Sequence, residues 1–224
     1  MYYLSIRYLF KSFLLTCLLS AVYVYAGNSD IIDLTQKRDV VGLKKILNKR
    51  FVNLEKRDKN GDTALLIAAR NSQWGIFDLL VKQGANINVL AANNRDILNL
   101  SVRVSNPELA KHAIKAGIST HTFTPRYQGS ALIFAAAEGE LEIVEALIKA
   151  KAPLNRRNNL GWTALLEAVI LGDGSKPYQQ IVERLLEAGA DRNITDKLGK
   201  TPLYHAQQKG YDKIIELLMF AQLD

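Results

Sequence analysis

A motif that returns at nearly constant spacing constrains the fold of this sequence more than any other feature. Each copy begins with a Ser, Thr or Asp directly before a short apolar run. These residues are Thr63, Asp96, Ser130, Thr163 and Thr201, at steps of 33, 34, 33 and 38 residues. Their side-chain oxygens can accept a hydrogen bond from a free amide at the start of a helix. A period near 33 residues predicts a stacked array, because each short helix pair can bury its apolar side only against the next pair.

A second apolar segment follows the first in every copy. These segments centre on Leu80-Val81, Ala113-Ile114, Leu147-Ile148, Leu185-Leu186 and Leu218-Met219. Gly84 and Gly189 stand shortly after two of them, where glycine can take the left-handed conformation that ends a helix. Each copy is therefore predicted to form two short helices joined by a turn.

The sequence closely resembles the ankyrin-repeat family. The two signatures of that family stand here as Thr201-Pro202-Leu203-Tyr204-His205-Ala206 and Gly189-Ala190-Asp191-Arg192-Asn193. The resemblance implies an all-α fold, an ankyrin-repeat solenoid of stacked helix-turn-helix units with short β-hairpin-like loops. It also implies a non-enzymatic protein–protein interaction module that binds a protein partner through its concave face and loop tips.

The register of the motif predicts the domain organisation. Five ankyrin-like repeats, called repeats 1 to 5 below, are expected within residues 56–224, at about 56–88, 89–121, 122–155, 156–193 and 194–224. Residues 27–55 are expected to form an N-terminal capping partial repeat, since the end of an array faces water and departs from the consensus.

Two departures from the pattern lead to local expectations. Lys151 stands in repeat 3 where other repeats have glycine, and Lys is costly at positive φ, so this helix is expected to end differently. Repeat 4 has five additional residues between its helices, within 172–178. Because two glycines and a proline cannot continue a helix, this segment is predicted to leave the stack as a surface loop.

Residues 1–26 have the composition of a secretory signal peptide. Arg7 and Lys11 give a positive start, and residues 12–24 are almost continuously apolar. Cleavage is predicted near Ala26-Gly27, which would place the mature chain in a bacterial periplasm or outside the cell.

Two alternatives for this leader stay open. It could anchor the chain uncleaved, although its apolar part falls short of the ~20 residues that a spanning helix needs. Lipidation at Cys17 is the weaker alternative. Cleavage would remove Cys17, the single cysteine, so disulfides and thiolate metal sites are not expected in the mature chain.

No constellation of residues indicates catalysis. The histidines His112, His121 and His205 lack metal-ligand spacing, and the acidic residues of repeat 3 are mixed with lysines as on a solvated face. We expect no enzyme activity, no cofactor, no metal site and no small-molecule substrate.

The net charge is +7, or +5 without Arg7 and Lys11, which is too small and scattered to indicate nucleic-acid binding. Membrane contact is expected only if the leader is uncleaved.

The expected protein-binding surface includes apolar residues at places where the scaffold requires none. Its predicted residues are Arg95, Arg103, Arg126, Tyr127, Leu160, Trp162, Ile170, Leu171, Lys176 and Tyr178. We place Tyr127, Trp162 and the 172–178 loop at its centre and the three arginines at its rim, because aromatic anchors with basic surroundings are common at protein interfaces. The alternative is that the inserted loop folds over Trp162 and buries it.

The leading functional hypothesis is a periplasmic adaptor that binds one protein. An immunity or inhibitor protein against a toxin enzyme, and a secreted effector that binds host proteins, are the alternatives that the resemblance also allows.

Overall fold

The computed structural model describes residues 30–49, 51–124 and 127–220. The predicted signal peptide with its cleavage site, and Arg126 of the predicted binding surface, lie outside these residues. The chain divides into two compact units, one ending at Val52 and the other beginning at Asn53. Within the described ranges, no helix has the length and apolar character needed to cross a bilayer.

Within residues 30–49, 51 and 52, the described part of the first unit, one pair of helices, α1 (Ile31–Gln36) and α2 (Val40–Leu47), pack against each other. Both helices begin at an aspartate that caps them. The Asp30 carboxylate accepts a hydrogen bond from the amide of Ile32, and the Asp39 carboxylate accepts one from the amide of Gly42. This helix pair lies within residues 27–55, the segment for which the sequence predicts a capping partial repeat.

The second unit contains five helix pairs in the part of it that the structure describes. The first helices of the pairs are α3 (Ala64–Arg70), α5 (Ile97–Arg103), α7 (Ala131–Ala137), α9 (Ala164–Ile170) and α11 (Pro202–Lys209). The second helices are α4 (Trp74–Lys82), α6 (Pro107–Lys115), α8 (Leu141–Lys149), α10 (Lys176–Glu187) and α12 (Asp212–Phe220).

Every first helix of the second unit begins at the capping residue that the sequence predicts. The side-chain oxygens of these residues accept hydrogen bonds from the amides three positions later, in the pairs Thr63–Leu66, Asp96–Asn99, Ser130–Ile133, Thr163–Leu166 and Thr201–Tyr204. All five caps have extended backbone, as expected for a residue that precedes the first helical turn.

The helices of the second unit form two rows. Each first helix packs against the first helix of the next repeat. The second helices α6, α8, α10 and α12 also pack consecutively against one another. Leucines, isoleucines and alanines fill the space between rows, and Leu147 of α8 is completely buried. No strand occurs among the described residues apart from an isolated bridge between Arg57 and Thr63. The prediction of an all-α solenoid is confirmed.

Lys151 takes the conformation that the sequence analysis expected it to avoid. Its φ is +58°, in the left-handed region that glycine occupies in the other repeats. The amides of Lys151 and Ala152 donate to the carbonyl oxygens of Ile148 and Leu147, at 2.9 and 3.0 Å. These bonds satisfy the last carbonyls of α8 and offset the cost of a left-handed lysine. The expectation of a different helix ending was wrong.

The inserted segment of repeat 4 is shorter than predicted. Helix α10 begins at Lys176, so Lys176, Pro177 and Tyr178 are helical rather than part of a loop. Proline fits the first turn of a helix because it has no amide to leave unsatisfied there, and the prediction missed this. The insertion therefore lengthens α10 to 12 residues, whereas α8 has nine, and leaves only a short turn after α9.

Candidate functional site

A large cavity lies on the first-helix face, which we define as the exposed side of the first helices together with the loops before them. This cavity, called the groove below, has a volume of about 860 Å³. Its lining residues are Asn93, Asn94, Arg95, Arg103, Thr124, Tyr127 and Phe134. Two further cavities of about 190 and 210 Å³ also have Arg95 and Arg103 in their walls. Both arginines therefore face the same open region.

Arg95 and Arg103 lie at opposite ends of α5. Arg95 directly precedes the cap Asp96, and Arg103 is the last residue of the helix. Neither guanidinium has a carboxylate within 4.0 Å among residues that the structure describes. Arg70, which lines the neighbouring cavity, differs because its Nη2 lies 2.8 Å from Oδ2 of Asp62. Burial raises the pKa of Asp62, and the charge of Arg70 opposes that rise.

Two aromatic side chains form the apolar part of the groove. Tyr127 is 46% exposed, and its carbonyl oxygen accepts a hydrogen bond of 3.0 Å from the amide of Asn159. Phe134 is half-buried on α7, with its ring directly against Gly129, where an added Cβ would lie 2.8 Å from the ring. The groove therefore combines unpaired positive charge with aromatic surface.

Phe134 was not among the residues predicted from the sequence. The sequence does contain a signal for it. Phe134 stands four residues after the helix cap, and the equivalent residues of repeats 4 and 5 are the polar Glu167 and His205. Those polar side chains indicate that this position contacts the preceding loop rather than the apolar core.

The loop before α9 lies next to Tyr127. Oδ1 of Asn158 accepts hydrogen bonds from the amides of Leu160 and Trp162, at 2.9 and 3.0 Å, and so shapes the loop. Leu160 is 46% exposed and Trp162 is half-buried. The structure therefore brings together the predicted residues Tyr127, Leu160 and Trp162.

The other predicted residues of repeat 4 lie at the opposite end of α9. Ile170 is half-buried and Leu171 is exposed, and the seven residues of α9, a helix ~10 Å long, lie between the loop of Trp162 and Leu171. Lys176 is exposed in the first turn of α10. The inserted segment thus neither covers Trp162 nor joins Tyr127 in a common centre, and both arrangements considered from the sequence were wrong in this respect.

Tyr178 stabilises the inserted segment. Its hydroxyl donates to the carbonyl oxygen of Ala137 at 3.1 Å, and its ring packs on Gly172. Burial, with nearby carboxylates, raises the pKa of Tyr178, so the hydroxyl remains protonated and able to donate.

A buried carboxyl braces the loop of repeat 4. Oε1 of Glu167 accepts a hydrogen bond of 2.7 Å from Nδ2 of Asn158, while Oε2 has no hydrogen-bond partner among the described residues. Burial raises the pKa of Glu167 to about 7. Repeat 5 has a different pair at these positions, since Nε2 of His205 lies 2.9 Å from Oδ2 of Asp196. Because the Glu167 carboxyl accepts a hydrogen bond from Asn158, which shapes the loop before α9, this geometry supports bracing of the loop.

Family comparisons cover most of the second unit. The family described as "Ankyrin repeats (3 copies)" matches residues 98–196 and 132–224, and the family described as "Ankyrin repeat" matches residues 60–94. The ankyrin repeat protein YahD of Escherichia coli strain K12 is 35% identical over 171 residues, which cover 76% of this chain and 85% of YahD.

Solved structures show the same architecture. An ankyrin repeat domain from Acinetobacter baumannii AYE aligns with a TM-score of 0.78 and 38% identity, covering 85% of this chain and 96% of that one. A chain from a complex between a predatory endopeptidase of Bdellovibrio bacteriovorus and an immunity protein aligns with a TM-score of 0.67 over 88% of this chain and 100% of that one. The identity in that alignment is 22%, so it shows a shared fold alone.

Proposed function

This chain belongs to the ankyrin-repeat family, whose members are protein–protein interaction modules, and we propose that it is a non-enzymatic adaptor that binds one protein partner in the bacterial periplasm. The partner occupies the first-helix face of repeats 2 to 4, which corresponds to the concave face of the family. The observation that supports this most strongly is the groove, because unpaired arginines and exposed aromatic surface occur there together.

The loop before α9 extends this surface. Tyr127, Leu160 and Trp162 lie in adjoining loops, and none of them is needed to fill the core between the helix rows. Exposed aromatic and apolar groups beside charged ones are typical of the centre of a protein interface, where water is excluded on binding. Ile170 and Leu171 form a second apolar patch at the far end of α9 that a large partner could also reach.

A photo-crosslinking amino acid placed at Tyr127 tests the location of the surface. Exposed Lys149, on α8 in the other helix row, is the matched control position. We expect a crosslink to a specific protein from position 127 and none from position 149. Crosslinks from position 149 alone would place the partner on the second helices and contradict the proposal.

The proposed periplasmic location rests on the composition of residues 1–26. Fractionation of cells that express the C-terminally tagged chain tests it. The expected result is a shortened chain in the periplasmic fraction, whereas full-length chain in the cytoplasm would contradict export. Recovery mainly from the culture medium would favour the secreted effector.

The activity of the captured partner separates an adaptor from an inhibitor. If the partner is an enzyme, an adaptor leaves its activity unchanged or raises it at one-to-one stoichiometry. Loss of that activity would instead support the immunity or inhibitor alternative.

A further inference from the structure

We propose that Arg95 and Arg103 together bind one carboxylate of the partner, an Asp or Glu side chain within an acidic segment that crosses the groove. This inference rests on the proposed function and specifies the chemistry of the partner.

Repeats 1 and 2 differ in charge at two equivalent positions of the first-helix face. In repeat 1, Asp62 directly precedes the helix cap Thr63, and Arg70 stands seven positions after that cap. In repeat 2 the same positions hold Arg95 and Arg103. One repeat therefore has a carboxylate and a guanidinium where the next has two guanidiniums.

The pair in repeat 1 shows that side chains at these positions can meet. Nη2 of Arg70 lies 2.8 Å from Oδ2 of Asp62, although the residues stand at opposite ends of α3. The Asp62 side chain is only 7% exposed, while that of Arg70 is 49% exposed. The arginine thus reaches along the first-helix face to a carboxylate held near its surface.

Among the described residues, no carboxylate of this chain forms an ion pair with the two arginines of repeat 2. Asp96 accepts hydrogen bonds from the amide and Nδ2 of Asn99 and from Oγ1 of Thr122, so its oxygens are already engaged. Glu138 and Glu140 line the same open region, and Oε1 of Glu140 accepts from the hydroxyl of Ser105. Neither glutamate forms an ion pair with Arg95 or Arg103 within the described part of the chain.

A carboxylate from outside fits this arrangement. It has two oxygens that can each accept more than one hydrogen bond, and each guanidinium presents several donors in a rigid plane. A bound carboxylate would also relieve the repulsion between the two like charges. Tyr127 and Phe134 border the site and would exclude water from it, which strengthens charge-assisted hydrogen bonds. We specify a carboxylate because Asp62 supplies one at the equivalent place in repeat 1.

The substitution Arg95→Asp tests the inference because it gives repeat 2 the charge arrangement of repeat 1. The variant can form an internal ion pair with Arg103 and no longer needs an external carboxylate. Lys197→Asp is the matched control, since it makes the same charge change at an exposed loop position of repeat 5.

The probe is a phage-displayed library of random 12-residue peptides. Purified wild-type protein is expected to select peptides that share an Asp or Glu at one aligned position. Synthetic copies of these peptides should bind Arg95→Asp about 10-fold or more weakly, as expected for a lost charge-assisted contact, and Lys197→Asp within about 2-fold of wild type. Replacing the shared acidic residue by its amide should weaken binding to wild type by a similar factor.

Two results would overturn the inference and leave the proposed function standing. One is selection of peptides without a shared acidic residue, and the other is equal binding to Arg95→Asp and wild type. If Arg95→Asp lowers the melting temperature, Arg103→Gln serves in its place, because this residue is exposed at the end of α5. Selection of no peptide, together with no crosslink from position 127, would contradict the proposed function itself.

Discussion

Tyr178 donates a hydrogen bond to the carbonyl oxygen of Ala137, 3.1 Å away and 41 residues earlier in the chain. This bond joins the first turn of α10 to the end of α7 in the neighbouring repeat. The hydroxyl of Tyr211, from the following repeat, donates in turn to the carbonyl oxygen of Gly172 at 2.8 Å. Tyrosines from two repeats therefore fix the inserted segment to the array.

Replacing Tyr178 by Phe should lower the free energy of unfolding by about 1 kcal/mol, because it removes this hydrogen bond and leaves a carbonyl without that donor. Urea denaturation measures the change. Tyr204→Phe is the control, since the Tyr204 hydroxyl has no hydrogen-bond partner among the described residues and should cost less than about 0.5 kcal/mol. Equal losses of free energy of unfolding in both variants would mean that the bond contributes nothing to the stability of the array.

Leu147→Ala tests the packing between repeats. Leu147 is 0% exposed on α8, so its truncation should cost about 2–5 kcal/mol in free energy of unfolding. Lys149→Ala, two residues later on the exposed side, should change stability by less than about 0.5 kcal/mol. A mild effect of both substitutions would be incompatible with the repeat register.

Glu167 should make stability depend on pH. Below about 4.5, its usual pKa, the carboxyl is protonated in both the folded and the unfolded chain. Between about 4.5 and about 7 only the unfolded chain ionises, so this group lowers the stability of the fold as pH rises. Above about 7 both states are ionised and the contribution stays constant, at a cost of about 3 kcal/mol.

Glu167→Gln should remove this dependence and keep an oxygen for Nδ2 of Asn158. We expect the variant to be more stable than wild type at pH 8, by up to about 3 kcal/mol, and close to wild type at pH 4. Chemical denaturation at the two pH values measures the difference. A constant difference at both values would show that Glu167 does not titrate between them.

Trp162→Ala separates binding from stability. The tryptophan is half-buried and the inserted segment does not cover it, so we expect at least a 10-fold loss of affinity for the crosslinked partner and a loss of stability below that of Leu147→Ala. Leu198→Ala, at an exposed loop tip of repeat 5, should leave affinity unchanged. A large drop in melting temperature with unaltered affinity of the folded fraction would assign Trp162 to the scaffold.

The sequence predicted the helix starts well because each depends on one local interaction. A side-chain oxygen at Thr63 or Ser130 needs only the amide three residues away, so the motif alone determines the cap. The start of α10 was misplaced because Pro177 can either end a helix or occupy its first turn, and the contact of Tyr178 with Ala137 in another repeat is not visible in the local sequence.

The candidate site was only partly predictable for the same reason. Arg95, Arg103 and Tyr127 were found because the register assigns them to exposed positions, and the structure places all three in the walls of the groove. Phe134 was missed because an aromatic residue within an apolar run resembles core unless it is compared with the polar residues Glu167 and His205 at the equivalent positions of later repeats.

Hydrogen–deuterium exchange of the protein with and without its crosslinked partner tests the central claim most directly. Binding on the first-helix face predicts slower exchange of backbone amides in residues 91–103, 127–134 and 158–164, with α6 and α8 unchanged. Slower exchange confined to α6, α8 and α10 would show that the partner lies on the second helices and would contradict this account.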